Sequence, residues 1–151
     1  MADSTRSSIV IEAPAGDVID VIADVETYPE WAQGMQAAEV LTEEGDGWPD
    51  QVRFSLDAGA IKDTYVLDYE WDISEDGSGS VSWHLVEGGV LKTMDGTYTL
   101  VSQPDGSTAV TYELEVSLKI ALLGMLRRKA ERVIVDTALK DLKAHVEGAQ
   151  A

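Results

Sequence analysis

The sequence predicts an α+β domain in which a curved antiparallel sheet of about seven strands wraps around one long C-terminal helix, with two short helices after the first strand. Three observations predict it. Leu122–Glu147 is a proline-free stretch whose apolar residues recur at helical steps. Between Met35 and Ser117 the pattern changes to alternation, cut by turn chemistry into six segments. A helix with one apolar stripe and a sheet with one apolar face bury each other.

The elements follow in order. Ser7–Glu12 is a short β-branched run, read as the first strand. Ala13-Pro14 then opens a helix, with proline where its missing N–H does least harm. Val18, Val21, Ile22 and Val25 mark that helix's apolar face, a second helical turn covers Glu26–Ala32, and Gly34 ends the segment. The alternating region is punctuated at Glu44–Pro49, Ala58–Ala60, Glu75–Gly79, Gly88-Gly89 and Pro104–Gly106. This leaves strands near Ala37–Glu43, Asp50–Asp57, Ile61–Ile73, Ser80–Glu87, Leu91–Val101 and Thr108–Ser117, and short connections make them antiparallel neighbours.

Parity sorts the strands into two faces. Val52, Phe54 and Leu56 oppose Arg53, Ser55 and Asp57; Tyr65, Leu67, Tyr69, Trp71 and Ile73 oppose Val66, Asp68, Glu70 and Asp72. Val81, Trp83 and Leu85, then Met94, Tyr98 and Leu100, then Val110, Tyr112, Leu114 and Val116, continue the inner face. One face is therefore polar and the other rich in Tyr and Trp. In the last helix, Leu126, Ala130, Val133, Ile134, Ala138, Leu142 and Val146 form a stripe, widened by Val135 and Leu139. Gly148 reads as its stop. At about 1.5 Å per residue the helix is roughly 39 Å long, enough to cross a small domain.

Composition removes several classes of function. A chain of 151 residues is one domain by length, with room for a core. It has no cysteine, which excludes disulfides, thiolate metal sites and thiol catalysis. The formal charge is −17, and seven of the eleven basic residues lie between Lys119 and Lys143. So acidic a body disfavours nucleic acid and anionic lipid surfaces. The N-terminus lacks the pattern of a signal peptide, and no apolar run approaches the roughly 20 residues that span a bilayer, so the expectation is a cytoplasmic protein without stable membrane insertion. His84 has outward parity and His145 lies near the helix end, so no metal site is expected. There is no phosphate-binding loop or dinucleotide fingerprint, and no cofactor is expected.

The order of elements, with Ala13-Pro14 and then Ala23-Asp24-Val25-Glu26-Thr27-Tyr28-Pro29-Glu30-Trp31, resembles the START-like (SRPBCC) helix-grip superfamily. Within it, the resemblance is to the polyketide cyclase/dehydrase and coenzyme-Q-binding branch. Trp83 followed by Glu87-Gly88, Gly96 before Thr97-Tyr98, and the closing Leu139–Val146 add to the likeness. It covers nearly the whole chain and speaks for the fold more than for the function, because this fold hosts binders and enzymes alike.

The resemblance implies a cavity between sheet and helix. Its lining would be Phe54, Tyr65, Tyr69, Trp71, Trp83, Tyr98 and Tyr112 from the sheet and Leu126, Ala130, Val133, Ile134 and Thr137 from the helix. Such a cavity would bind a hydrophobic small molecule or lipid, for transport or sequestration. Two alternatives stand beside it. A polyketide aromatase/cyclase or dehydratase would need acids and bases facing the substrate; Asp50, Asp63, Glu87 and Lys92 share inward parity at strand ends and are the candidates. A protein-interaction module would have a filled core. Trp48, in a loop beside Gly47 and Pro49, is expected to cover the barrel edge or the cavity mouth.

Overall fold

The computed structural model describes residues 4–43, 45, 47–57, 62–119 and 124–150, and the side chains of all of these except 124–127, 149 and 150. Strand β1 (Thr5–Ile11) leads into helix α1 (Ala15–Ala23), a 3-10 turn (Val25–Thr27) and the one-turn helix α2 (Tyr28–Trp31). Six strands follow, β2 (Met35–Glu43), β3 (Pro49–Asp57), β4 (Lys62–Ile73), β5 (Gly79–Gly88), β6 (Leu91–Ser102) and β7 (Thr108–Leu118), and then helix α3 (Gly124–Gln150). The strand limits agree with the alternation to within two residues. The expected turn at Ala58–Ala60 and starts at Ile61 and Leu122 lie outside the described residues. Gly148 does not stop α3; its backbone does not turn left-handed, and the helix runs through it.

All seven strands form one antiparallel sheet in the order β1-β7-β6-β5-β4-β3-β2. The hairpin-linked strands lie side by side, and β1 joins the far edge by pairing with β7, Thr5 opposite Leu114 and Ile9 opposite Val110. Alternation does its expected work: Val52, Phe54, Tyr65, Leu67, Tyr69, Val81, Trp83, Leu100, Tyr112 and Leu114 are all buried on the side facing α3.

Helix α3 divides its apolar surface between two tasks. Val135, Leu139, Leu142 and Val146 are fully buried in the core, whereas Ile134 and Ala138 are only partly buried and Val133 is 49% exposed. The packed stripe is therefore turned by about one position from the one the spacing predicts. Glu131 is fully buried on the same stripe. Its carboxylate accepts the Val116 N–H (2.6 Å) and the Thr5 hydroxyl (3.0 Å), tying the helix to β7 and β1.

Side chains of α3 also cover the free edge of β1, where unpaired backbone groups would otherwise invite pairing with another chain. Arg132 donates to the Arg6 carbonyl (3.1 Å), Lys143 donates to the Val10 carbonyl (2.6 Å), and Glu147 accepts the Glu12 N–H (2.9 Å). Arg132 and Lys143 thus have a local use.

Two bulges overturn part of the parity sorting. Between the pairs Val66–Glu87 and Leu67–Leu85 the β5 strand carries an extra residue, and Glu87 is exposed instead of inward. Between Leu91–Leu118 and Thr93–Ser117 the extra residue is Lys92, which is also exposed, while Leu91 takes the buried place.

Candidate functional site

Sheet and helix do not meet along their whole length. Between them is a cavity of about 300 Å³, at the small end of the range for small-molecule sites. Phe54 and Leu56 of β3, Tyr65, Leu67 and Tyr69 of β4, and Trp83 of β5 form one wall with Met94 and Tyr98 of β6 and Tyr112 of β7. Val133, Ile134, Thr137, Ala138 and Asp141 of α3 face them. Ile22 of α1, Tyr28 and Trp31 of α2, residues 32–35 and Asp57 of β3 complete the lining.

Register places the rings side by side. Tyr69 pairs with Trp83 and Tyr98 with Tyr112, with ring centroids 5.6 Å and 4.6 Å apart. Trp83 makes an edge contact with Tyr112 at 5.6 Å, and Phe54 stacks with Tyr28 at 5.9 Å. This continuous aromatic surface presents both faces and edges to whatever occupies the space.

The tyrosine hydroxyls divide into two kinds. Tyr28 donates to the Ile22 carbonyl, which fixes its ring across the cavity. Among the described residues, the hydroxyls of Tyr65, Tyr69, Tyr98 and Tyr112 have no partner, yet no fully enclosed side-chain polar atom lacks one. These four oxygens therefore border open space. Burial pushes every one of these phenols well above its ordinary pKa, and neighbouring phenols add to the rise at Tyr69 and Tyr112. They remain protonated donors at physiological pH.

The mouth lies between α2, the start of β2 and α3. Asp141 accepts two hydrogen bonds from Gln33, one from the backbone N–H (2.8 Å) and one from the side-chain amide (3.2 Å). The Trp31 indole stacks on His145 at 5.1 Å. Gly34 turns the chain here with φ +86°, and an added Cβ would stand 2.8 Å from the Asp57 carbonyl oxygen, so glycine is required. These contacts strap the short helical segment across the cavity.

The predicted site residues fall into three groups. Phe54, Tyr65, Tyr69, Trp83, Tyr98, Tyr112, Val133, Ile134 and Thr137 line the cavity. Trp71 and Ala130 do not: Trp71 stacks on Trp48 at 4.8 Å and donates to the Pro49 carbonyl (2.6 Å), and Ala130 is packed in the core. Trp48 thus covers the sheet through Trp71. The side chain of Leu126 lies outside the described residues. Sequence reasoning missed Met35, Met94 and Asp141 as lining; Met94 had the right parity, but nothing local marks the other two.

None of the acid/base candidates lines the cavity. Asp63 accepts the N–H groups of Gly89, Val90 and Leu91 at 2.9–3.0 Å, so its carboxylate holds the β5–β6 turn. Asp50 accepts the Thr42 hydroxyl at 3.0 Å on the β2–β3 hairpin. Glu87 and Lys92 are turned outward at the bulges described above. His84 is exposed beside Asp68 (3.5 Å) on the outer face.

Comparison with known proteins decides the family. The family described as polyketide cyclase / dehydrase and lipid transport matches residues 11–143, most of the chain. The chain belongs to this family. Solved structures of similar architecture include a START superfamily protein from Mycobacterium smegmatis, with a TM-score of 0.87 and 19% identity over 97% of this chain and 98% of that one. The Zhui aromatase/cyclase from Streptomyces sp. R1128 gives 0.77 and 19% over 98% and 93%. A STAR-related lipid transfer protein from Xanthomonas axonopodis gives 0.74 and 21% over 97% and 86%. At these identities the likeness is one of fold: this family's helix grips a START-type sheet here as in its relatives. No helix of the described residues is long and apolar enough to cross a membrane.

Proposed function

We propose that the protein binds a hydrophobic small molecule or lipid in the cavity between sheet and α3, as a carrier or a sequestering protein. The observation that carries this reading is the cavity itself, about 300 Å³ of space walled by aromatic and aliphatic side chains in an otherwise packed core. Apolar surface supplies affinity, at roughly 25 cal/mol per Å² before ordering costs are subtracted. The strap of Gln33 on Asp141 and Trp31 on His145 is where ligand enters and leaves.

A polyketide aromatase/cyclase is the second reading, favoured by family membership and by the Zhui neighbour. Acid/base chemistry needs a titratable group against the substrate. In this chain the lining offers phenols and, at the mouth, Asp57 and Asp141. Binding without turnover accords best with that set.

Native mass spectrometry of freshly purified protein, with identification of whatever solvent extracts, tests the proposal. A stoichiometric apolar adduct that is lost in a folded Ile134→Glu variant supports it. An adduct retained by that variant removes the cavity as its site.

A further inference from the structure

We infer that the cavity selects an uncharged, planar ligand carrying carbonyl or hydroxyl oxygens, and rejects both ionised acids and bare hydrocarbons. The inference rests on the cavity reading above and deepens it.

Four facts carry it. Tyr65, Tyr69 and Tyr112 are more than nine-tenths buried and, with Tyr98, leave their hydroxyls without a protein partner against the cavity. A purely aliphatic or hydrocarbon occupant would strip water from these donors and give nothing back, which is the costly way to bury a polar group. An occupant with one or two suitably placed oxygens would satisfy them.

The second fact is charge. Among the described residues the lining includes no Lys or Arg, and its ionisable carboxylates are Asp57 and Asp141 at the mouth. A fatty-acid carboxylate would leave water for a site where no cation of the described lining receives it, behind the carboxylate of Asp141 and that of Asp57, which Lys62 offsets at 3.6 Å, on a chain of net charge −17.

The third is protonation. Burial holds each phenol in its neutral form, so all four serve as donors and none as a fixed negative charge. As neutral donors they can pair with acceptor oxygens.

The fourth is shape. Tyr69, Trp83, Tyr98 and Tyr112 form one wall with neighbouring centroids 4.6–5.6 Å apart, and the cavity of about 300 Å³ suits two or three fused rings better than a long chain.

Three planar probes on one ring frame test the inference by equilibrium dialysis: fluorene, its ketone fluorenone, and fluorene-2-carboxylate. Fluorenone should bind about tenfold tighter than either of the others, the ratio expected when a dry site either makes or forfeits a hydrogen bond. A Tyr69→Phe/Tyr112→Phe double variant should lose most of that preference, fluorenone weakening and fluorene tightening as the unpaired donors are removed. Each single Tyr→Phe variant should fall between, which covers the case of a double variant that folds poorly. Equal or tighter binding of the carboxylate, or a ketone preference untouched in all these variants, overturns the inference. Fluorene that binds as well as fluorenone, and is lost on Ile134→Glu, overturns this inference alone and leaves the cavity reading standing. If no probe binds, both fall.

Discussion

The indole of Trp83 occupies the space that a side chain at Gly96 would need. A Cβ built on Gly96 would come within 2.4 Å of two carbons of the Trp83 ring, directly across the β5–β6 pairing. The glycine lets the indole lie flat on the sheet, and that in turn keeps the cavity open between Tyr69 and Tyr112. Gly96→Ala should push the ring into the cavity. Overpacking of this kind costs about 1–3 kcal/mol, and each kcal/mol lowers Tm by about 2–4 °C in a chain of this length. Thermal unfolding with tryptophan emission checks it; an unchanged Tm and spectrum would contradict the packing described.

Glu131 anchors the helix by its carboxylate, and its loss should be felt in stability. Glu131→Gln keeps the size but turns an amide N–H₂ toward one of two donors, Thr5 or Val116. The expected loss is about 1–3 kcal/mol, and greater for Glu131→Ala, which adds a void. Urea unfolding measures it through the midpoint, with the slope unchanged. A wild-type midpoint for Glu131→Gln would show the contact to be idle.

Stability should fall at high pH, with a defined cause. All five tyrosines have pKa values raised by burial above the ordinary 10.0. A group whose folded pKa is raised stabilises below its unfolded value and loses that contribution as pH climbs beyond it. The fold should therefore weaken above about pH 10. Absorbance at 295 nm should show the phenols ionising together with unfolding. Independent ionisation near 10 in folded protein would contradict their burial.

The acid limb has the opposite sign. Asp76 and Asp105 are held below their ordinary 3.8 by side-chain and backbone bonds from Ser78 and Ser107, and Glu147 below 4.5 by the Glu12 N–H and then Lys143. Depressed carboxylates stabilise above their ordinary values and lose that contribution as pH falls through them. Relief of repulsion in a chain of charge −17 works against this loss. Asp105→Asn should flatten the decline below pH 4.5 in a denaturant series; an identical pH profile would count against this turn's role.

The strap across the mouth should govern exchange more than affinity. Asp141→Ala removes both bonds from Gln33. Stopped-flow binding of fluorenone should show association and dissociation both faster by several-fold, about what one or two exposed hydrogen bonds supply, with a smaller change in Kd. Unaltered rates would place the entrance elsewhere.

The fold was legible because it rests on periodicity. Tyr65, Leu67 and Tyr69 announce their face by parity alone, and the spacing of Leu139, Leu142 and Val146 announces the helix. Most of the cavity's sheet wall follows from the same parity. What escaped depends on single residues meeting across the chain. Glu131 looks like one more solvated helix charge until Thr5 and Val116 are brought to it. Glu87 and Lys92 have the right parity, but a bulge consumes one residue and turns each outward. Asp63 has three backbone N–H groups of the distant β5–β6 turn to hold, which no spacing reveals. Trp71 lies beyond the cavity, under Trp48, because alternation fixes a face and not a position along the helix that covers it.

Ligand that enters the space between Tyr69 and Ile134 should be visible in methyl NMR of the methionines. Met35 and Met94 both line the cavity, from the mouth and from the sheet. Titration with fluorenone should move both methyl resonances saturably, and Ile134→Glu should abolish the shifts. Binding that leaves Met35 and Met94 unmoved would contradict the account.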